Sequence, residues 1–126
     1  SAFYKLLKKE CIDLKLCRVE TISRDGFPDI VYVNKHTGFQ GLIELKAVPR
    51  MPTSIKTTGL SIEQNIFHYD WADDGGVSYV LCWVEMTQEA VLWEGKEIFP
   101  AWKRKDIGNF TIIPRAALCN LSQYIR

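Results

Sequence analysis

Apolar and polar positions change their spacing several times along this chain, and each change predicts an element. Over residues 3–14, Phe3, Leu6, Leu7, Cys11 and Leu14 recur at helical intervals with Lys5, Lys8 and Lys9 turned away, which predicts an amphipathic helix. Residues 16–22 alternate as a half-buried strand does. "SRDGFP" is turn chemistry, and residues 29–33 are a β-branched strand. "NKHTG" turns the chain again before a strand over residues 39–47. Residues 48–59, "VPRMPTSIKTTG", have no period and read as a loop, long enough to carry function. A helix follows over residues 60–72, with Ile62, Ile66 and Tyr69 on one face, and "DDGG" ends it. Residues 77–84 are almost wholly apolar, as an interior strand is, and residues 90–93 form another strand with "EGKE" as its turn. The tail from Pro100 holds "KRKD" and a short "FTIIP" strand. The order is helix, three strands, helix, strand and strand, which predicts an α/β domain with a mixed sheet and helices packed on it.

Length and composition narrow the class. The 126 residues suit a single domain, spanning 1–126, and fractions of 47% hydrophobic and 25% charged residues exclude a disordered chain. No apolar run approaches the roughly 20 residues of a membrane span, and no secretory signal opens the sequence. Cys11, Cys17, Cys82 and Cys119 form no CxxC pair and have no neighbouring histidine. Three sit among apolar residues, so buried reduced thiols and a cytoplasmic setting are expected. Net charge is +1, but residues 1–60 carry ten Lys/Arg against six Asp/Glu, and residues 61–126 six against nine. The basic half would suit a polyanionic partner.

Within that half, Asp29, Glu44 and Lys46 interrupt otherwise apolar strands. Charges there destabilise unless something pairs with them. If the two strands form an antiparallel hairpin around residues 34–38, facing residue numbers sum to 72 or 73, which sets Asp29 beside Glu44. Alternation sends Glu44 and Lys46 to one face and Leu45 to the other. Two carboxylates and an ammonium then converge at one end of the sheet. One reading is a site for a hard divalent cation, Mg²⁺ or Mn²⁺, which removes the repulsion between the carboxylates. The other is a structural salt bridge of Lys46 with Glu44 or Asp29.

"FPD" (residues 27–29) and, fifteen residues after Asp29, "ELK" (residues 44–46) resemble the PD-(D/E)XK nuclease signature. "GLSIEQ" (residues 59–64) resembles the "LSPxQ" helix start of the VRR-NUC branch and of phage resolvase-like proteins related to it. "RVE" (residues 18–20), "VLCWV" and "AVLWEG" continue the similar pattern, over roughly residues 3–95, with the tail from residue 96 outside it. The resemblance implies a restriction-endonuclease-like fold and Mg²⁺-dependent hydrolysis of DNA phosphodiester bonds, leaving 5′-phosphate and 3′-hydroxyl ends. It implies Asp29, Glu44 and the Leu45 carbonyl as metal ligands, with Mn²⁺ as a substitute metal, and Lys46 orienting or activating water. Family members often add an acid from the first helix, which would be Glu10; Glu20 is the competing candidate. A phage-encoded or bacterial protein acting on DNA in the cytoplasm, in replication, repair or recombination, is the expected setting.

Ser61 and Gln64 make a capping box, which by itself explains both residues; a catalytic role for Gln64 stands beside that explanation. Arg50 and Lys56 in the loop, like Lys5, Lys8 and Lys9, are placed to follow phosphates. His36 and His68 have no partner by spacing and read as structural or solvated. Among the tryptophans, Trp71 is the exception to a core role. No sequence-reading motif appears, so branched, flapped or junction DNA is the expected substrate. The rival is a catalytically silent nucleic-acid-binding module on the same fold. "AVLWEG" and "FTIIP" either finish the sheet or offer an exposed edge to a homodimer partner.

Overall fold

A computed structural model describes residues 1–19 and 26–126. The elements are α1 (Ala2–Glu10), β1 (Leu14–Arg18), β2 (Ile30–Asn34), β3 (Gln40–Val48), α2 (Ile62–Asp73), β4 (Ser78–Val84), β5 (Glu89–Glu94), α3 (Gly95–Arg104) and β6 (Thr111–Pro114). Short 3-10 helices cover Lys56–Thr58 and Arg115–Gln123. The six strands lie in the order β1-β2-β3-β4-β5-β6. Among the described residues only the β3–β4 pair is parallel, and α2 lies in the crossover between those two strands, so the sheet is mixed.

The hairpin register follows the facing rule. Ile30 opposes Ile43 and Val31 opposes Leu42, so each pair sums to 73. The turn closes through Asn34 N–H to the Phe39 carbonyl and Gly38 N–H to the Asn34 carbonyl.

Alternation along the strands divides the core in two. Leu14, Leu16, Ile30, Tyr32 and Ile43 pack beneath α1 residues Phe3 and Leu7, joined by Leu118, Leu121 and Ile125 from the chain's end. On the other face Val48, Val80, Cys82, Val91 and Trp93 pack with Ile98 and Ala101 of α3. Each layer removes from water a row of branched and aromatic side chains, the dominant favourable term in folding. β4 is buried at every position, as its continuous apolar run predicts for a strand covered on both faces.

Several expectations are corrected. The first helix ends at Glu10 rather than residue 14, because Leu14 opens β1; Cys11 and Leu14 stay buried in the same layer. β1 runs Leu14–Arg18, and residues 20–22 of the expected strand lie outside the described residues. "EGKE" is not a turn but the start of α3, a helix hidden in the sequence by Gly95 at its first position and Pro100 inside it. The residues after Gly95 are not an appendage: α3, β6 and the last 3-10 helix supply parts of both core layers. "AVLWEG" is an interior strand between β4 and β6, which leaves β6 as a sheet edge with Ile112 exposed. Ile62, Ile66 and Tyr69 do share a face of α2, but the exposed one; Asn65 and His68 are buried instead. Of the four thiols, Cys11 and Cys82 are buried, Cys119 is half-buried and Cys17 is exposed. Among the described residues no helix is long and apolar enough to cross a membrane.

Candidate active site

Three segments meet at the end of the β2–β3 hairpin. Pro28 is buried and Asp29 immediately precedes β2, held by its carbonyl accepting from Val19 N–H at 2.8 Å. The Asp29 carboxylate reaches across to β3, where Oδ2 accepts from Leu45 N–H at 2.8 Å. That bond extends the hairpin by one step with a side chain in place of a backbone carbonyl. Leu45's N–H and C=O point to the same neighbouring strand, so its carbonyl also faces the Asp29 end of β2. Leu45's side chain packs against the α1 layer, which leaves Glu44 and Lys46 on the α2 face, as alternation requires.

Glu44 is 1% exposed. Gln64 Nε2 donates to its Oε1 at 2.9 Å, while Gln64 Oε1 accepts from Ser61 N–H at 2.9 Å. Ser61 Oγ in turn accepts from Gln64 N–H at 3.1 Å. The two ends of one amide thus cap α2 and hold Glu44, so the capping box and the site contact coexist. Gly26 brings these pieces together. It has φ +85°, and a Cβ there would overlap the Glu63 carbonyl, so only glycine lets this turn lie against the start of α2.

The electrostatics are those of an unrelieved acid pair. Burial, then the hydrogen bond to Asp29 and the Asp29 charge, raise the Glu44 pKa from 4.5 to about 9, with Lys46 pulling weakly the other way. Ion pairs among the described residues are Lys96–Glu94, Arg104–Asp106 and Arg115–Glu10. None includes Asp29, Glu44 or Lys46, so the structural salt bridge is not formed at pairing distance. Lys46 is half-buried opposite Cys82 of β4, close enough to temper the rise that burial causes in that thiol's pKa.

The donor set is chemically suited to a hard divalent cation: two carboxylates and a backbone carbonyl, all oxygen, with the remaining positions left to water. Among the described residues no group of three or more His, Cys, Asp or Glu side chains gathers to hold a metal. Glu10 does not join Asp29 and Glu44. It sits at the end of α1 and accepts from Arg115 Nη2 at 3.0 Å, on the α1 side of the sheet. Glu20 lies outside the described residues. Arg50 and Lys56 are exposed on the loop that leaves β3, which is held by Thr57 Oγ1 accepting from Thr53 and Ser54 N–H and by the buried Ile55.

The chain resembles a solved structure over nearly its whole length. This is Hjc, a Holliday junction resolvase from the archaeal hyperthermophile Archaeoglobus fulgidus, matched with a TM-score of 0.54 and 18% identity over 96% of this chain and 93% of that one. The fold is restriction-endonuclease-like. The match runs through α3 and β6, beyond the limit near residue 95 expected from the sequence pattern. No protein-family model and no curated protein matches the sequence.

Sequence reasoning does not single out Gly26 or Asn65, and it reads His68 as structural or solvated. In the sequence Gly26 reads only as turn chemistry. Asn65 and His68 form a buried polar patch under α2, where His68 Nδ1 lies 2.7 Å from Ser78 Oγ. His68 Nε2 and Asn65 Oδ1 are buried without a hydrogen-bond partner among the described residues. Burial lowers the His68 pKa to about 4, so this ring is neutral. The signal was available: Asn65 and His68 are three apart and so share one helix face.

Proposed function

We propose that this chain is a divalent-metal-dependent endodeoxyribonuclease of the PD-(D/E)XK type, acting on branched, flapped or junction DNA. The observation that carries the reading is Glu44: a carboxylate 1% exposed, set against Asp29, with no cationic partner within pairing distance among the described residues. A fold does not keep such a pair for stability alone, since ionising both acids in place is costly and one of them has to hold a proton until a cation relieves it. A bound cation turns that cost into affinity.

In this reading Asp29 and Glu44 hold Mg²⁺, or Mn²⁺ in its place, with the Leu45 carbonyl as a further ligand. The cation would supply a water of lowered pKa and would offset charge on the phosphorus. Lys46, on the same face as Glu44, would orient an attacking water by hydrogen bonding. Gln64 fixes the Glu44 carboxylate, so its contribution is to position rather than to transfer a proton. Arg50 and Lys56 meet phosphates flanking the cut bond. Support for DNA with a branch comes from the likeness to a junction resolvase and from the lack of a base-reading motif; the "GLSIEQ" helix start supports a place near the VRR-NUC branch.

The test is cleavage of labelled linear, nicked, flapped and four-way DNA with Mg²⁺, Mn²⁺ or EDTA. Metal-dependent cutting strongest on a branched substrate is expected. DNA retention without cutting under any metal would make the chain a silent binding module instead.

A further inference from the structure

A row of rings leads away from the carboxylates along α2. Phe27 lies two residues before Asp29, and its ring meets Phe67 edge-on at 5.2 Å between centroids. Phe67 stacks on Trp71 at 5.5 Å and 19°. Gln64, Phe67 and Trp71 are spaced at i, i+3 and i+7, so the row begins on the helix face that touches Glu44. It ends on an indole that is 40% exposed, whereas Trp83 and Trp93 are buried in the core.

Trp71 is fixed in place. Its Nε1 donates to the Val77 carbonyl at 3.2 Å, and Gly76 lies so close that a Cβ there would overlap the ring. The indole walls a cavity of about 360 Å³, with Val31, Phe39 and Leu42 among its other walls and Gln40 offering an amide. An exposed ring already ordered by a hydrogen bond and by stacking loses little freedom on binding, the circumstance in which a flat aromatic ligand gains most.

A DNA base is such a ligand. Stacking on an aromatic side chain is tolerant of sequence, because every base has a π-face. Bases inside a duplex are covered on both faces and cannot enter, whereas an unpaired base can. The seven residue steps from Gln64 to Trp71 span about 10 Å of helix. That is about three steps of a stacked strand, and fewer of an extended one. We propose that the Trp71 cavity takes up one unpaired DNA base a few nucleotides from the bond that is cut. This rests on the nuclease reading and adds the feature of the substrate that is recognised: a single-stranded nucleotide beside the duplex.

The experiment measures wild-type affinity, in EDTA, for flapped DNA in which one abasic nucleotide is walked through the single-stranded arm. Affinity should fall roughly five- to a hundredfold at one position near the branch and stay level elsewhere. Trp71→Ala should show a similar loss on the intact flap and make the abasic nucleotide silent, while Trp71→Phe keeps most of the affinity. A flat abasic walk, or a walk unchanged in Trp71→Ala, overturns the proposal. Should Trp71→Ala not fold, the walk on wild-type protein decides alone. Metal-dependent cutting of the same flap is recorded in parallel. Cutting with a flat walk removes the base pocket and leaves the nuclease reading standing; a position-specific walk without cutting supports the pocket and removes the nuclease reading.

Discussion

Replacing Glu44 by Gln should make the metal-free protein more stable at neutral pH. The unfolded chain ionises this carboxyl near 4.5, but the folded protein does so only near 9. A group whose folded pKa is raised contributes fully below its unfolded pKa, and the contribution is lost as pH rises toward the folded one. At pH 7 the unfolded chain has gained about 1.4 kcal/mol for each of roughly 2.5 pH units, about 3 kcal/mol in all. Glutamine keeps an oxygen for Gln64 Nε2 and offers Asp29 an N–H where the protonated acid offers O–H. It therefore preserves the contacts and removes the titration. Urea unfolding in EDTA should show Glu44→Gln and wild type alike near pH 4, with the variant ahead by about 3 kcal/mol at pH 7. At this chain length that is a rise in Tm of about 10 °C. A variant less stable than wild type at pH 7 in EDTA would refute the reasoning, because Glu44 would then be an ionised partner in a stabilising pair.

Lys46→Ala should abolish cleavage yet leave DNA affinity within several-fold, since one ammonium is a small part of a multi-phosphate contact; Arg50→Ala with Lys56→Ala should instead weaken binding and flatten its salt dependence in a filter or anisotropy titration. Gly26→Ala should lower stability by about 1–3 kcal/mol in urea melts, because φ +85° and the Glu63 carbonyl both oppose a Cβ. His68, neutral when folded with a pKa near 4 against 6.5 unfolded, contributes fully above pH 6.5. That stability should fall by about 3 kcal/mol between pH 6.5 and 4, and His68→Gln should flatten the acid side of the stability curve.

The sequence exposed the hairpin and hid much of what surrounds it. Asp29, Glu44 and Lys46 were legible because charges in β-branched runs are conspicuous and strand alternation is a rule of fixed period. The register followed from the turn at residues 34–38, and the pairing bears the 73 sum. Burial in α2 was not legible: hydrophobicity points Ile62, Ile66 and Tyr69 inward, yet Asn65 and His68 face the sheet. His68 meets Ser78, a strand residue ten positions away whose place beside α2 is set only by the β3–β4 crossover. α3 was missed because Gly95 and Pro100 disfavour helix locally, and the gain from burying Ile98 and Ala101 is tertiary. The role of Gly26 lies in the same class, since its demand comes from the approach of α2 and not from its own turn.

Calorimetric titration of Mn²⁺ into the protein at pH 7.5 asks whether Asp29 and Glu44 hold a divalent cation. Run in buffers of different ionisation enthalpy, the titration also counts protons released. Wild type should bind with release of about one proton, because Glu44 is protonated until the metal arrives. Asp29→Asn should bind far more weakly, while remaining as stable as wild type in EDTA. Absence of binding at millimolar Mn²⁺, or binding undiminished in Asp29→Asn, would contradict the account.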